Sequence, residues 1–182
     1  MNIKATRNSV ILIALVFIIA IAFGIFSRPQ VDTQEITNYL ENTAPVAQAH
    51  SDWLEDYNTL TELYIVMSQN QKAEALNRLL DRMEKIQIDV DESTPPDVLG
   101  NIVTKWGNEC RLILQAVFQL SLGVERNNTE WISEAYELLM EAENTRQQWK
   151  DELSTLLNEN DIKIEDTTLG SYLNRSAILY KL

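Results

Sequence analysis

The stretch TPPDVLGNIVTKWGNECRLILQAVFQLSLG, residues 94–123, decides the fold of this chain. Its apolar side chains recur every three or four residues, which is the period of one face of an α-helix rather than the alternation of a β-strand. We expect Thr94 to cap this helix with Pro95 at its first helical position, and we expect Gly123 to end it. The apolar stripe consists of Leu99, Ile102, Val103, Trp106, Cys110, Ile113, Val117 and Leu120.

A helical stripe of the same kind precedes this stretch and predicts a long first helix, from about Thr33 to Met67. Pro45 lies inside it and cannot donate to the carbonyl of Glu41. We therefore expect a kink there or, alternatively, a break into two helices at Ala44. The stripe consists of Ile36, Tyr39, Leu40, Thr43, Ala47, His50, Trp53, Leu54, Tyr57, Leu60, Tyr64 and Met67.

Two more predicted helices complete the pattern. Ser68 and Gln71 form a capping-box pair that opens the second helix, and the segment 89–94 connects it to the third. We expect Asn128 or Thr129 to cap the fourth helix. The stripes are Leu76, Leu79, Leu80, Met83, Ile86 and Val90 in the second helix, and Ile132, Ala135, Leu138, Leu139, Ala142, Arg146, Trp149, Leu153, Leu156 and Leu157 in the fourth.

The N-terminal stretch SVILIALVFIIAIAFGIFS, residues 9–27, contains no charged side chain. As a helix it would span about 28 Å at ~1.5 Å per residue, which matches a hydrocarbon core about 30 Å thick. Apolar side chains cover every side of this helix, so no face of it is suited to water. We therefore predict a transmembrane signal-anchor helix here, and the membrane is the first expected partner.

Basic residues set the expected orientation of this anchor. Lys4 and Arg7 precede the apolar run, whereas only Arg28 follows it closely. Positive flanks tend to stay in the cytoplasm. We therefore expect residues 1–8 to be cytoplasmic and the main domain to be extracytoplasmic, on a single-pass protein of the cell membrane. The small residues at Ala20–Ala22 leave a cleaved signal peptide and a secreted bundle as the alternative.

Together these segments predict an all-α fold, with a single N-terminal transmembrane helix followed by an antiparallel up-down four-helix bundle. Short connections favour antiparallel neighbours, and each apolar stripe can be hidden only against the other helices. The bundle is expected over residues 28–160. Residues 161–182 are expected to form a C-terminal tail that either packs as a short helix or stays mobile.

The chain carries a formal net charge of −12, and every acidic residue follows Pro29. An acidic surface repels phosphate groups, so we expect no nucleic-acid partner and no contact of the main domain with anionic lipid. Basic proteins and cations are compatible with this charge. Four glutamates at helical spacing are expected to form an acidic ridge on the solvated face of the fourth helix. They are Glu130, Glu134, Glu137 and Glu141.

The sequence lacks the residue patterns of known catalytic and metal sites. His50 is the only histidine, and its place on an apolar stripe is typical of a core residue. One histidine cannot supply the paired Glu-x-x-His motifs of di-iron bundles. The acidic cluster Asp89–Ser93 does not have EF-hand spacing, and the lone Cys110 excludes an intramolecular disulfide. We expect no catalytic, cofactor-binding or metal-binding residue, no cofactor and no enzymatic activity.

Aromatic and small residues are expected to serve packing. Trp53, Trp106 and Trp149 lie on core stripes, and Gly100 and Gly107 are expected to permit close approach of a neighbouring helix. We therefore expect a membrane-anchored bundle that binds another protein or scaffolds an envelope complex. The second hypothesis is a sensor-like bundle that holds a small ligand or a cation between its helices.

Overall fold

The computed structural model describes residues 32–163, and these residues form four α-helices with no β-strand among them. The all-α class and the helical bundle are therefore confirmed for this part of the chain. The predicted anchor over residues 9–27 and almost all of the tail over residues 161–182 lie outside the described residues. The helices are α1 (Thr33–Leu63), α2 (Gln69–Asp91), α3 (Gly100–Glu125) and α4 (Thr129–Glu159).

None of these four helices combines the length and the hydropathy that a membrane crossing requires. Consecutive helices run antiparallel, because residue numbers rise along one helix as they fall along its neighbour at successive contacts. The hydrogen bonds that show this are Tyr39–Ser93 and Trp53–Leu79 for α1 and α2, Asn77–Ser121 and Gln69–Val124 for α2 and α3, and Lys105–Glu152 and Gln119–Glu134 for α3 and α4.

The core is built from the predicted stripes. Trp53 and Tyr57 stack with ring centroids 5.4 Å apart, and the Trp53 indole donates to the Leu79 carbonyl at 2.6 Å. Burying a large apolar side chain contributes about 1.5–3 kcal/mol, so the stripes explain why the helices associate. The fully buried large side chains include Ile36, Trp53, Tyr57, Leu76, Met83, Leu99, Ile113, Leu120 and Leu139.

Helix α1 passes through Pro45 without interruption, so the alternative break at Ala44 is wrong. Pro45 has no N–H for the Glu41 carbonyl, a loss that costs about 3 kcal/mol in a helix interior. The buried stripe nevertheless continues in phase from Ile36 to Leu60. Packing of this stripe against the other helices offsets the cost, because tertiary contacts supply most helical stability in proteins.

Helix α1 ends at Leu63 rather than at the predicted Met67. The Val66 amide donates to the Leu63 carbonyl at 3.0 Å and closes a turn. The Ser68 amide donates to Gln71 Oε1 at 2.9 Å, and Ser68 Oγ accepts from the Gln71 amide at 3.4 Å, so the predicted capping box is confirmed. An N-cap residue takes extended dihedral angles, so the chain has to leave α1 before it reaches Ser68.

The start of α3 differs from the prediction. Thr94 and Pro95 lie outside the helix, α2 itself continues to Asp91, and a 3₁₀ turn, Asp97–Leu99, leads into α3. Pro96 is extended, with φ −54° and ψ 149°. A residue that precedes proline is disfavoured in the α region of backbone dihedral angles. Thr94 precedes Pro95, and Pro95 precedes Pro96, so both are affected. Thr94 and Pro95 are therefore excluded from the helix, and since Pro96 is itself extended, the helical turn begins at Asp97.

Gly123 does not end α3, which continues to Glu125. The helix ends in a Schellman-type turn in which Asn127 has φ 52° and the Asn128 amide donates to the Gly123 carbonyl at 2.8 Å. Asparagine tolerates this left-handed conformation, so it can replace glycine there. Gly123 instead lets α4 approach closely, because a Cβ on it would lie 2.9 Å from Ile132 Cγ1.

Of the two other glycines in the four described helices, one has the expected packing role. A Cβ on Gly107 would lie 3.0 Å from Asp91 Oδ1 and 3.7 Å from Val90 Cγ1, at the end of α2. A Cβ on Gly100 would meet no heavy atom within 4 Å, so the expectation of close approach is wrong at that position.

Candidate functional site

An apolar groove of about 350 Å³ runs along the outside of α3 and α4. Its α3 residues are three, four and seven positions apart, which places them on one face of that helix. Phe118 is 53% exposed, so about half of this large apolar residue stays in contact with water. The groove is lined by Gln115, Phe118, Gln119 and Leu122 from α3 and by Trp131 and Leu138 from α4.

The first turn of α4 holds Trp131 at one end of the groove. Asn128 caps the helix, since its Oδ1 accepts from the amides of Glu130 at 3.0 Å and Trp131 at 3.2 Å. The Arg126 guanidinium lies over the Trp131 ring, 5.2 Å from its centroid. Gly123 permits a close approach of α4 to α3 at Ile132, the residue next to Trp131.

The predicted acidic ridge borders the groove on its α4 side. Glu134 lies three residues after Trp131 and four before Leu138, so its side chain stands beside theirs on the helix surface. Its carboxylate accepts a hydrogen bond from Gln119 Nε2, which joins α3 to α4 at the groove. All four ridge residues are exposed, as predicted for an outer face: Glu130, Glu134, Glu137 and Glu141.

A second exposed apolar surface lies at the turn between α1 and α2. Leu63 is 50% exposed, Ile65 91% and Val66 81%. The turn is tied to the end of α3, because Gln69 Nε2 donates to the Val124 carbonyl at 2.5 Å. Large apolar side chains this exposed are uncommon, so the turn is a second candidate contact surface.

The interior of the bundle contains a polar cluster that joins α1, α3 and α4. Trp106 Nε1 donates to His50 Nδ1 at 3.0 Å, and Trp149 Nε1 donates to Glu109 Oε2 at 2.7 Å. His50 Nε2 lies 3.5 Å from Glu109 Oε1. Both His50 and Glu109 are completely buried. The structure thus places the sole histidine in the core, as predicted, but beside a carboxylate that the sequence analysis did not identify.

Arg146 supplies the positive charge of this cluster. Its Nε lies 4.0 Å from Glu109 Oε1, and its guanidinium forms an ion pair with Glu143 on the same helix. Only 4% of Arg146 is exposed. A charge this deeply buried requires partners of opposite sign, and the two glutamates provide them.

Burial shifts the pKa values of both titratable groups toward the neutral form. Burial raises the pKa of Glu109 to about 7, against the opposing influence of the Arg146 guanidinium and of the Trp149 hydrogen bond. Burial lowers the pKa of His50 to about 3, and the positive charge of Arg146 acts in the same direction. Near neutral pH the histidine is therefore neutral, and Glu109 is close to the midpoint of its titration.

The cluster has no room for a substrate in this structure. The adjoining cavity, between Leu40, Leu99, Trp106, Trp149 and Leu153, encloses only about 20 Å³. This is about the space of one water molecule. A carboxylate and an imidazole in contact are common catalytic partners, but they also need a reacting atom within hydrogen-bond reach. The position of this pair supports a structural role in joining three helices.

Other residues of interest have packing roles or exposed positions. Cys110 is a free thiol, and burial raises its pKa well above the usual range, so it acts as a small apolar residue. The carboxylates of Asp89, Asp91 and Glu92 are exposed at the end of α2. Within residues 32–163, no group of three or more His, Cys, Asp or Glu side chains is placed to hold a metal ion.

Comparison of the chain with protein-family models, with curated proteins and with solved structures gives no match. The chemistry of the groove, the ridge and the buried cluster is therefore the basis for any functional assignment.

Proposed function

We propose that this chain is a non-enzymatic, single-pass membrane protein whose extracytoplasmic helical bundle binds another protein or holds it in an envelope complex. The observation that carries the proposal is the groove between α3 and α4. Phe118 and Trp131 remain in contact with solvent there, although Trp106 and Trp149 of the same two helices are buried. Exposed aromatic side chains in a concave apolar surface are typical of protein–protein contact sites.

The buried polar cluster supports the non-enzymatic part of the proposal. Its titratable groups, His50 and Glu109, are completely buried and accept hydrogen bonds from Trp106 and Trp149. The groove, which is open, is lined mainly by apolar side chains and by two glutamine amides. Glutamine amides are poor acids and bases, so this surface is better suited to binding than to proton transfer.

The membrane anchor rests on the apolar run over residues 9–27 and its basic flank. Intact-mass analysis of the protein from membranes of its own host, beside the soluble fraction, tests it. A full-length species confined to the membrane is the expected result. A soluble species that begins near Phe23 would show cleavage of a signal peptide instead and would make the bundle a secreted protein.

A small-molecule ligand is the second candidate function, and the size of the groove favours it. A volume of about 350 Å³ falls within the range of about 300–1,000 Å³ that is usual for small-molecule sites. The groove is, however, open along its length and contains few polar groups that would orient a small ligand. A protein side chain held on a helix needs less enclosure, which is why we prefer a protein partner.

A photo-crosslinking experiment in the host tests the binding function. A benzophenone amino acid is introduced in place of Gln115, which lines the groove and is exposed, or in place of Asp81, on the exposed face of α2. We expect a discrete protein adduct at the groove position and none at the control position. Absence of an adduct at both positions, or equal adducts at both, would show that the groove is not a protein-binding site.

A further inference from the structure

We infer that the groove between α3 and α4 receives a basic amphipathic helix of a partner protein. This inference rests on the proposed function and adds the chemistry of the partner. It follows from three properties of the groove: its shape along the helix axes, its apolar floor and the charge of its border. Each of these properties belongs to residues that the structure describes.

The shape of the groove fits one face of a helix. On α3 its lining extends from Gln115 to Leu122, about two turns or roughly 10 Å. Trp131 and Leu138 cover a similar length on α4. A partner helix presents apolar side chains at positions i, i+3, i+4 and i+7 over the same distance. The groove can therefore hold two or three consecutive apolar anchors of such a helix.

The floor of the groove selects apolar anchors. Phe118, Leu122, Trp131 and Leu138 supply its apolar surface, and a hydrogen bond joins Gln119 to Glu134 between the two helices. An apolar side chain that enters displaces water from aromatic and aliphatic surface without breaking a bond of the bundle. Aromatic residues of this type often provide the largest contributions to binding at protein interfaces.

The border of the groove determines the charge of the partner. The four ridge glutamates are exposed, and within residues 32–163 none of them forms an ion pair. Lysine or arginine residues flanking the apolar face of a docked helix would lie beside them. Arg126 lies over Trp131 at one end of the groove rather than among the ridge residues.

The net charge of the chain makes a basic partner preferable to a second copy of the same chain. With a net charge of −12, two copies repel each other, and two acidic ridges would face one another across a symmetric interface. A basic helix is attracted by the same field, which increases its rate of association at low ionic strength. A basic amphipathic helix is therefore the occupant that fits both the floor and the border.

Defined peptides test the inference on the full-length chain in a nonionic detergent. The probe is a synthetic peptide of about five helical turns with leucine at i, i+3, i+4 and i+7 and lysine elsewhere. One comparison peptide has the same leucines and lysines in scrambled order, and another has glutamate in place of lysine. Binding is measured by fluorescence anisotropy of the labelled peptide at low and at high salt.

Two variants and two matched controls assign binding to the groove. Phe118→Ser should raise the Kd of the leucine–lysine peptide by at least about tenfold. Met140→Ser changes an exposed apolar residue outside the groove and should leave the Kd within about twofold. The paired variants are Glu137→Gln with Glu141→Gln on the ridge, and Asp81→Asn with Glu84→Gln on α2 as their control.

The double variant on the ridge, Glu137→Gln with Glu141→Gln, should raise the Kd of the leucine–lysine peptide about threefold at low salt and less at high salt. The control double variant on α2 should leave this Kd within about twofold. Far-UV circular dichroism verifies that each variant is folded. Equal binding of the scrambled peptide, binding of the glutamate peptide as tight as that of the lysine peptide, no binding at all, or an unchanged Kd for Phe118→Ser would each overturn the inference.

The peptide result and the crosslinking result distinguish two kinds of failure. An adduct at Gln115 with a negative peptide result would leave the binding function in place and reject a basic amphipathic helix as the partner. A positive peptide result with no adduct in the host would reject the proposed function, while the chemical preference of the groove would stand.

Discussion

Trp106 donates its indole N–H to Nδ1 of His50 at 3.0 Å, and this bond fixes the tautomer of the imidazole. An indole nitrogen can only donate, so Nδ1 must accept, and the proton of the neutral ring lies on Nε2, which faces Glu109. Protonation of Nδ1 would place two donors against each other. The neutral form is therefore favoured by hydrogen bonding as well as by burial.

The first prediction concerns the titration of His50. Its pKa of about 3 implies that the imidazole C–H signals, which are unambiguous because the chain has a single histidine, stay in the range of a neutral ring in NMR spectra from about pH 8 to about pH 4, with only a small change as the neighbouring Glu109 titrates near pH 7. Trp106→Phe removes the opposing donor and should raise this pKa. A full change of these signals to those of a protonated ring, with a midpoint near the ordinary value of 6.5, would contradict a buried histidine whose Nδ1 accepts from Trp106.

The second prediction concerns the pH dependence of stability at Glu109. Its folded pKa of about 7 lies above the ordinary value of 4.5, so the folded state binds this proton more tightly than the unfolded chain does. The resulting stabilisation is present below about pH 4.5 and is lost as the pH rises through about 7. Relative to wild type, Glu109→Gln should therefore gain free energy of unfolding across this range, by on the order of 3 kcal/mol at most.

Urea unfolding at both ends of the range measures this gain. Glu84→Gln, on the exposed face of α2, is the control, and its difference from wild type should not change with pH. If the difference in free energy of unfolding between Glu109→Gln and wild type were equally constant, the folded pKa of Glu109 would have to equal its ordinary value of 4.5, with Arg146 and Trp149 offsetting the effect of burial.

The third prediction concerns the buried charge of Arg146. Arg146→Met removes the guanidinium that lies beside the buried Glu109 and pairs with the partly exposed Glu143, so Glu143 loses its partner and Glu109 becomes harder to ionise. Loss of one partner of a buried ion pair costs about 3–5 kcal/mol, so a large fall in the free energy of unfolding is expected.

The control for Arg146 is Arg78→Met. Arg78 pairs with Glu74 on the surface, where its side chain is 70% exposed. Exposed pairs of this kind contribute about 0.3–0.5 kcal/mol. Similar losses in the two variants, measured by urea unfolding, would mean that Arg146 is no more important than a surface residue.

The fourth prediction uses two glycines at the ends of α3. A Cβ on Gly123 would lie 2.9 Å from Ile132 Cγ1 and 3.2 Å from the Asn128 carbonyl oxygen and the Ile132 amide nitrogen, two backbone atoms that cannot turn aside. Gly123→Ala should destabilise the protein by about 1–3 kcal/mol. Gly100→Ala meets no atom within 4 Å and should stabilise it by about 0.4–1 kcal/mol. Thermal unfolding of both variants measures these changes in stability. Destabilisation by Gly100→Ala would contradict the described start of α3 at Gly100.

Periodicity predicted the fold well because it is a local property. Each apolar stripe is predicted from the sequence of one helix alone, because a helix in a bundle buries one face. One residue from each stripe illustrates that these faces are buried: Trp53, Met83, Ile113 and Leu139. Helix ends were less predictable. Pro95 is of a type common at helix starts and Gly123 of a type common at helix ends. The extended Pro96, however, moves the start of α3 further along the chain, and Gly123 lies inside α3, where it permits the close approach of Ile132.

The buried cluster could have been found in part from the sequence. Glu109 lies three residues after Trp106 and four before Ile113, so it falls on the stripe of α3, as Arg146 does on that of α4. Two opposite charges on core stripes are a signal for a buried pair. The pairing itself, and the meeting of Phe118 with Trp131 at one groove, depend on how α3 and α4 cross, which no single stripe specifies.

The deep burial of Cys110 has a practical consequence for chemical labelling. A thiol reacts as the thiolate, and here burial both excludes reagents and raises the pKa of the group. As the only cysteine of the chain, it should remain silent toward maleimides while the bundle is folded. Dyes and spin labels can therefore be attached to single introduced surface cysteines without replacing Cys110. Slow modification of Cys110 itself would measure the rate at which the bundle opens.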